Sequence, residues 1–320
     1  MLQKYINNLV DNLHSVPNFV PNFVPNSVPN SVPNSVPNVD VIFEGGLFNG
    51  SYQIGFLNYI KQMEKKQLIN VKRLSGCSVG SFVAFLYFTD ATLDENINFI
   101  SNILYKHIKK KKNINFFNKI WKYYIKRLPN NFLDLINGRL FITYNDISKN
   151  KQIVKSTYHS IEDLFETIRR SCSVPYIIDK TLFYTGKYFD GLYPFIFKPK
   201  KNRKIINLNI INFEKFKYFF SIKNEKNNIF RVVDGILDTH TFFSSNYNSS
   251  MCSYVNDWSI ITNIKYHLLI KIFKLCVSVL HYFYIFIKIF KKYSSNTIIG
   301  EASNQLFIII CKFLFKVFCV

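Results

Sequence analysis

Gly76-Cys77-Ser78-Val79-Gly80 places one serine between two glycines directly after an apolar run. The pattern G-x-S-x-G describes a sharp strand-to-helix turn that holds the serine hydroxyl clear of both elements. The glycines are required because a side chain at either position collides where the backbone doubles back. The flanks agree: residues 68–74 read as a strand and residues 81–88 as the start of a mostly buried helix. The competing reading is a glycine-rich turn with an idle serine.

Upstream, Val41-Ile42-Phe43 is a short apolar strand, followed by Glu44-Gly45-Gly46-Leu47-Phe48-Asn49-Gly50. Tyr52, Gly55, Phe56, Leu57 and Ile60 then recur at helical spacing. Positions without side chains at such a turn leave backbone N–H groups open to a developing oxyanion. Alone, the same loop also reads as a tight turn with no ligand. Downstream, Tyr188-Phe189-Asp190-Gly191-Leu192 sets an aspartate before a glycine at the end of an aromatic strand, which by itself is only a turn.

In this order and spacing the three stretches resemble the patatin-like phospholipase family. Residues 45–50 stand where that family has G-G-G-x-[KR]-G, Gly76 to Gly80 stand at its elbow, and Asp190-Gly191-Leu192 at its D-G-[GA]. Ile168-Arg169-Arg170-Ser171-Cys172-Ser173-Val174-Pro175-Tyr176 is similar to the family's helix ending in S-x-x-x-P, and residues 141–146 to the strand before it. The resemblance spans about residues 39–258. It implies an α/β fold: a patatin-like three-layer core with a central, mostly parallel sheet and a Ser nucleophile elbow. It also implies a phospholipase A-type lipid acyl hydrolase that uses a Ser–Asp dyad and an acyl-enzyme. Ser78 is then the nucleophile, Asp190 the base, and the amides of Gly45, Gly46 and Leu47 the oxyanion donors. Gly76, Cys77, Val79 and Gly80 form the elbow around Ser78.

Three positions depart from the family pattern: Leu47 for the third glycine, Asn49 for Arg or Lys, and Leu192 for Gly or Ala. A side chain at 47 narrows the approach and restricts φ. Asn49 removes a positive charge from the loop. A catalytically weak or inactive descendant that binds lipid is therefore one alternative. An ordinary Ser–Asp–His esterase using His240 or His267 is another.

Forty-one Lys and Arg against twenty Asp and Glu give a net charge of +21, which steers the chain towards anionic partners. Lysine clusters at 106–112 and 198–204, the first followed by Phe116, Phe117, Trp121, Tyr123 and Tyr124, suit an anionic membrane surface. A nucleic-acid partner rests on charge alone and is the weaker reading. Six cysteines without a C-x-x-C pair show no metal-ligand spacing, and Asp234, Asp238 and His240 read as helix-surface polarity. No metal and no cofactor is expected. The first residues lack the apolar core of a signal peptide, so a cytoplasmic, membrane-associated protein with free thiols is the expectation. Heavy use of Lys, Asn, Ile, Phe and Tyr matches an AT-rich coding genome, as in giant viruses.

Three parts are predicted. Residues 1–38 hold an N-terminal segment, with a possible short helix using Leu2, Ile6, Leu9, Val10 and Leu13, and a Val-Pro-Asn repeat. A proline every fourth residue makes that repeat a linker without fixed structure. Residues 39–260 form the catalytic domain. Residues 261–320 form an apolar, basic helical tail, membrane-associated or packed on the core. Its uncharged run, residues 275–287, falls short of the ~20 residues that span a bilayer. His267, Lys274, His281 and Lys288 recur every seven residues, with Lys271 and Lys292 near the same side, as a basic stripe against a wide apolar face.

Overall fold

A computed structural model describes residues 1–13, 36–46, 49–99, 117–174, 181–200, 202–210, 229–245, 248–294 and 309. The Val-Pro-Asn repeat up to residue 35, the 106–112 lysine cluster, Leu47 and, apart from Ile309, the tail from residue 295 onward lie outside the described residues.

The centre of the fold is strand β1 (Asn38–Phe43). It pairs in parallel with β2 (Asn70–Cys77) on one side and β6 (Arg203–Leu208) on the other. β2 continues in parallel to β3 (Leu140–Asp146). β4 (Lys151–Lys155), β5 (Tyr188–Phe189) and β7 (Cys252–Tyr254) add on antiparallel, giving the order β4-β3-β2-β1-β6-β7 with β5 on β3. Alternation along β1 serves both faces of the sheet. Val39, Val41 and Phe43 enter the main core, while Ile42 joins a smaller cluster with Phe197 and Ile205. On that second face Asp40 is fully buried. It accepts from the guanidinium groups of Arg73 on β2 and Arg203 on β6, which ties three parallel strands together. Arg73 also lies 4.3 Å from the Phe197 ring centre.

Helices cover the main core. α1 (Leu2–Leu13) buries Ile6, Val10 and Leu13 there. The N-terminal helix is thus packed on the body, with Ile6, Val10 and Leu13 of its five-residue apolar stripe fully buried. α2 (Gly50–Lys65) follows β1, α3 (Val79–Leu86) follows β2, and α4 (Leu93–Asn98) starts with a Thr92–Glu95 capping box. α5 (Phe117–Tyr124), α6 (Phe132–Ile136), α7 (Ile161–Ser171) and α8 (Ile229–Ser245) complete this set. α2 and α8 cross with backbones almost touching: a Cβ on Gly55 would lie 2.2 Å from the Val232 carbonyl oxygen, and one on Gly235 2.1 Å from that of Tyr52.

The last described element is α9 (Ile260–Ser294), 35 residues and so about 50 Å long. The uncharged run seen in the sequence is only part of it. Its stretch Ile260–Phe286 has a mean hydropathy of 1.7 and is 6% buried, long and apolar enough to cross a membrane by length and composition. The isolated lysines that break the run in sequence do not break the helix. The basic stripe is also divided, since His281 turns inward and its Nδ1 donates to the Ile147 carbonyl at 2.6 Å.

The α2–α8 crossing gives a direct test of the packing. Gly55→Ala or Gly235→Ala is expected to destabilise the protein by roughly 1–3 kcal/mol, because backbone atoms rather than flexible side chains occupy the space. Chemical denaturation of each variant beside the wild type measures this.

Candidate active site

β1 and β2 end side by side, and each hands over to a helix through a glycine turn. β1 is also where the strand order reverses, the place in an open parallel sheet where a crevice forms beyond the strand ends. Ser78 sits at the second turn with φ 51° and ψ −134°, a conformation that side-chain-bearing residues seldom adopt. Its neighbours explain the geometry. A Cβ on Gly76 would lie 2.5 Å from the Gly80 carbonyl oxygen, and one on Gly80 would lie 2.5 Å from that of Phe43. The turn is therefore closed by backbone on backbone, as the two flanking glycines predict.

The elbow is pinned by the end of α7. Ser171 Oγ accepts from the Ser78 amide at 2.9 Å. Cys172 Sγ and Ser81 Oγ both donate to the Ser78 carbonyl, at 3.0 and 2.6 Å. The Ser78 side chain makes no capping hydrogen bond, so its hydroxyl is left for other work.

The same Ser171 also holds the aspartate loop. Its carbonyl accepts from Gly191 N at 3.0 Å. Asn145 Nδ2 donates to the Asp190 carbonyl at 2.6 Å, and β5 is aligned by pairing with the end of β3. Gly191 is packed too tightly for a side chain: a Cβ there would lie 2.5 Å from the Thr143 carbonyl oxygen and 2.8 Å from Cys77 Cβ. Serine and aspartate, 112 positions apart, are thus brought together by one residue neither adjoins.

Asp190 is 6% exposed and Ser78 7%. Burial raises the Asp190 carboxyl to about 6, against smaller opposing contributions from the Leu192 amide and the Ser78 hydroxyl. Leu192 N donates to Oδ1 at 3.0 Å. Oδ2 is buried and has no hydrogen-bond partner in good geometry among the described residues. The Ser78 hydroxyl lies near the Asp190 carboxyl and partly offsets its upward shift.

Beside this pair lies the first glycine turn. A Cβ on Gly45 would lie 3.1 Å from Ser78 Cβ, so the loop backbone runs directly past Ser78. Gly46 backs onto Ile210, whose Cδ1 would be 2.3 Å from a Cβ there. Asn49, where a cation was expected from the family pattern, is fully buried. Its amide closes the turn onto the Gly46 carbonyl at 2.8 Å, its Nδ2 donates to the Ile210 carbonyl, and its Oδ1 accepts from Arg231 Nη1 at 3.3 Å. Arg231, 3% exposed on α8, brings a guanidinium to the loop from 182 positions away. No sequence signal marked it: an arginine in a helix reads as surface until the helix is placed.

Glu44, directly before the glycines, is a second buried carboxyl. Burial raises it to about 7, partly offset by Asn207 Nδ2 donating to its Oε1 at 2.9 Å. Burial likewise raises the Cys77 and Cys172 thiols, with the Asp190 charge adding to it, so neither is a nucleophile at neutral pH. His240 bonds to the Tyr59 hydroxyl at 2.9 Å, and His267 is exposed on α9. Among the described residues no hydrogen bond joins a histidine to Ser78 or Asp190.

The family described as patatin-like phospholipase matches residues 41–193, from β1 through the aspartate loop. This segment is a patatin-like domain. A human omega-hydroxyceramide transacylase is 25% identical over 161 residues, which cover 47% of this chain and 30% of that protein. The chain thus spans less than a third of the length of that relative.

Glu44 and Asp190 make the patatin-like domain's stability pH-dependent. Each holds a proton in the folded state at pH values where the unfolded chain has released it. Stability therefore falls as pH rises from about 4 to about 7. Glu44→Gln, which keeps the acceptor for Asn207, is expected to raise stability at pH 8 by on the order of 2 kcal/mol and to change it little at pH 4. Urea melts at the two pH values check this.

Proposed function

We propose that the protein is a lipid acyl hydrolase working through a Ser78–Asp190 dyad at a membrane surface. The observation that carries this reading is the pair itself: a serine strained clear of its helix beside a buried aspartate with one unoccupied carboxylate oxygen. Ser78 Oγ attacks the ester carbonyl carbon while Asp190 takes its proton, and the carbonyl π pair moves onto oxygen. Backbone amides of the Gly45–Gly46 turn are the proposed donors to the oxyanion. Collapse expels the alcohol, which receives the proton from Asp190, and leaves Ser78 acylated. Water then repeats the sequence and releases the fatty acid. A carboxyl near 6 rather than 4 is a stronger base yet still mostly ionised at neutral pH. The name of the human relative supports a second reading of the same site, in which a lipid hydroxyl replaces water in the second half.

The membrane part of the proposal rests on α9. Leu275 is 65% exposed and Phe286 61%, and Ile260, Ile264, Val279 and Tyr282 are as open. Such a row on a chain of net charge +21 suits the apolar boundary beneath anionic headgroups. The body, residues 39–260, then carries the chemistry and the tail from 261 the attachment.

A fluorophosphonate probe is expected to label the wild type and not Ser78→Ala. Asp190→Asn should lower ester hydrolysis by about three orders of magnitude or more, and His240→Ala by less than about twofold. The wild-type kcat/KM should rise with pH to a plateau through an apparent pKa near 6, as Asp190 loses its proton. An unlabelled, folded wild type supports the inactive lipid-binding alternative, and loss of activity in His240→Ala revives the triad.

Membrane attachment is checked by flotation with vesicles. Replacing Lys265, Lys271 and Lys274 by Gln should weaken binding to anionic vesicles by about 1 kcal/mol per lysine and leave binding to neutral ones nearly unchanged. Added salt should narrow the difference.

A further inference from the structure

α9 does not merely extend from the body. Its inner stripe repeats at helical spacing: Tyr266, Phe273, Val277, Leu280, His281 and Tyr284. Val277 is 4% exposed in a cluster with Ile147 and Phe183, to which Leu192, Leu280 and Tyr284 add. Phe273 stacks on Tyr193, ring centres 6.1 Å apart and planes within 4°. The helix therefore grips the two residues that follow Asp190-Gly191.

Those two residues also set the carboxylate. Leu192 stands at φ 53°, where a glycine is at ease and a leucine is strained, and from there its amide donates to Asp190 Oδ1. Its side chain ends in the α9 cluster, which supplies the packing that holds the strained conformation. Tyr193 is fixed at its other end, its carbonyl accepting from Thr143 Oγ1 at 2.8 Å and Gln152 Nε2 at 2.9 Å. His281 and Ser278 fasten the same helix to the turn after β3, through the Ile147 carbonyl and the Asn150 side chain.

We propose that Leu192 and Tyr193 are positioning residues that clamp the Asp190 loop to α9, so that seating the outer face of α9 in a lipid surface and setting the base are one mechanical event. This rests on the membrane and dyad readings above. It adds that the partner, a lipid surface, acts on the site through the helix: one face of α9 meets the acyl chains and the opposite face meets the loop. A leucine in place of the family's small residue is then the part that makes the link, since glycine or alanine has no side chain long enough to reach Val277, Leu280 and Tyr284.

Amide hydrogen exchange of the full-length protein tests the link whether or not the protein turns over substrate. In the wild type, anionic vesicles should slow exchange across residues 189–193 by about tenfold and leave the elbow, residues 76–81, unchanged. Val277→Ala and Phe273→Ala should speed exchange across 189–193 by about tenfold, with the elbow still protected. Leu192→Gly should make that segment indifferent to vesicles and to Val277→Ala. Exchange at 189–193 that ignores vesicles and both α9 substitutions in the folded protein overturns the proposal. Fluorophosphonate labelling of the same samples separates the two readings. An unlabelled wild type whose exchange responds as described removes the hydrolase and keeps the clamp. A labelled wild type whose rate of labelling is unmoved by Val277→Ala and whose exchange is unresponsive removes the clamp and keeps the hydrolase.

Discussion

The whole site depends on backbone meeting backbone at Gly76 and Gly80. The elbow helix can follow its strand so abruptly only because hydrogen atoms, not side chains, face the Gly80 and Phe43 carbonyls. That contact joins the ends of β1 and β2, places the Gly45–Gly46 turn against Ser78, and forces Ser78 into its strained conformation. Strain of this kind costs on the order of 1–3 kcal/mol and persists only where surroundings over-determine it. Here Ser171, Cys172 and Ser81 supply that determination through the Ser78 amide and carbonyl.

Electrostatics follow from the same closure. Excluding water from the strand ends raises two buried carboxyls, Asp190 and Glu44. Only Asp190 is coupled to the Ser78 hydroxyl. Burial and the Asp190 charge raise the neighbouring Cys77 and Cys172 thiols as well.

The three departures from the family pattern have different fates. Asn49 is tied by three hydrogen bonds and is joined by a guanidinium from α8, so charge is delivered to the loop along another route. Leu192 occupies a backbone conformation that suits the glycine of the family pattern, and its side chain is anchored in the tail helix. Leu47 lies outside the described residues.

The elbow turn was legible in the chain because its residue types are dictated by sterics within a few positions, whereas the glycine loop and Asp190 read alone only as turns and took their expected roles from the resemblance. Strands β1 and β2 were legible to within a few residues, since apolar runs bounded by turns carry their own period, and β3 was legible through the resemblance. What the tertiary structure alone decided was every relation between distant segments. Ser171 reads as the last turn of a helix, and nothing local says that it joins the Ser78 turn to the Asp190 loop. Arg231 reads as a polar helix residue until α8 crosses α2 at Gly55 and Gly235. The first helix read as a short amphipathic segment, and only the structure shows which surface its stripe is buried against. The tail read as a broken apolar run, yet it is one helix with an inner face on the Asp190 loop and an outer face left open. Local sterics are written in neighbouring residues, whereas burial and long-range hydrogen bonds exist only once distant surfaces have met.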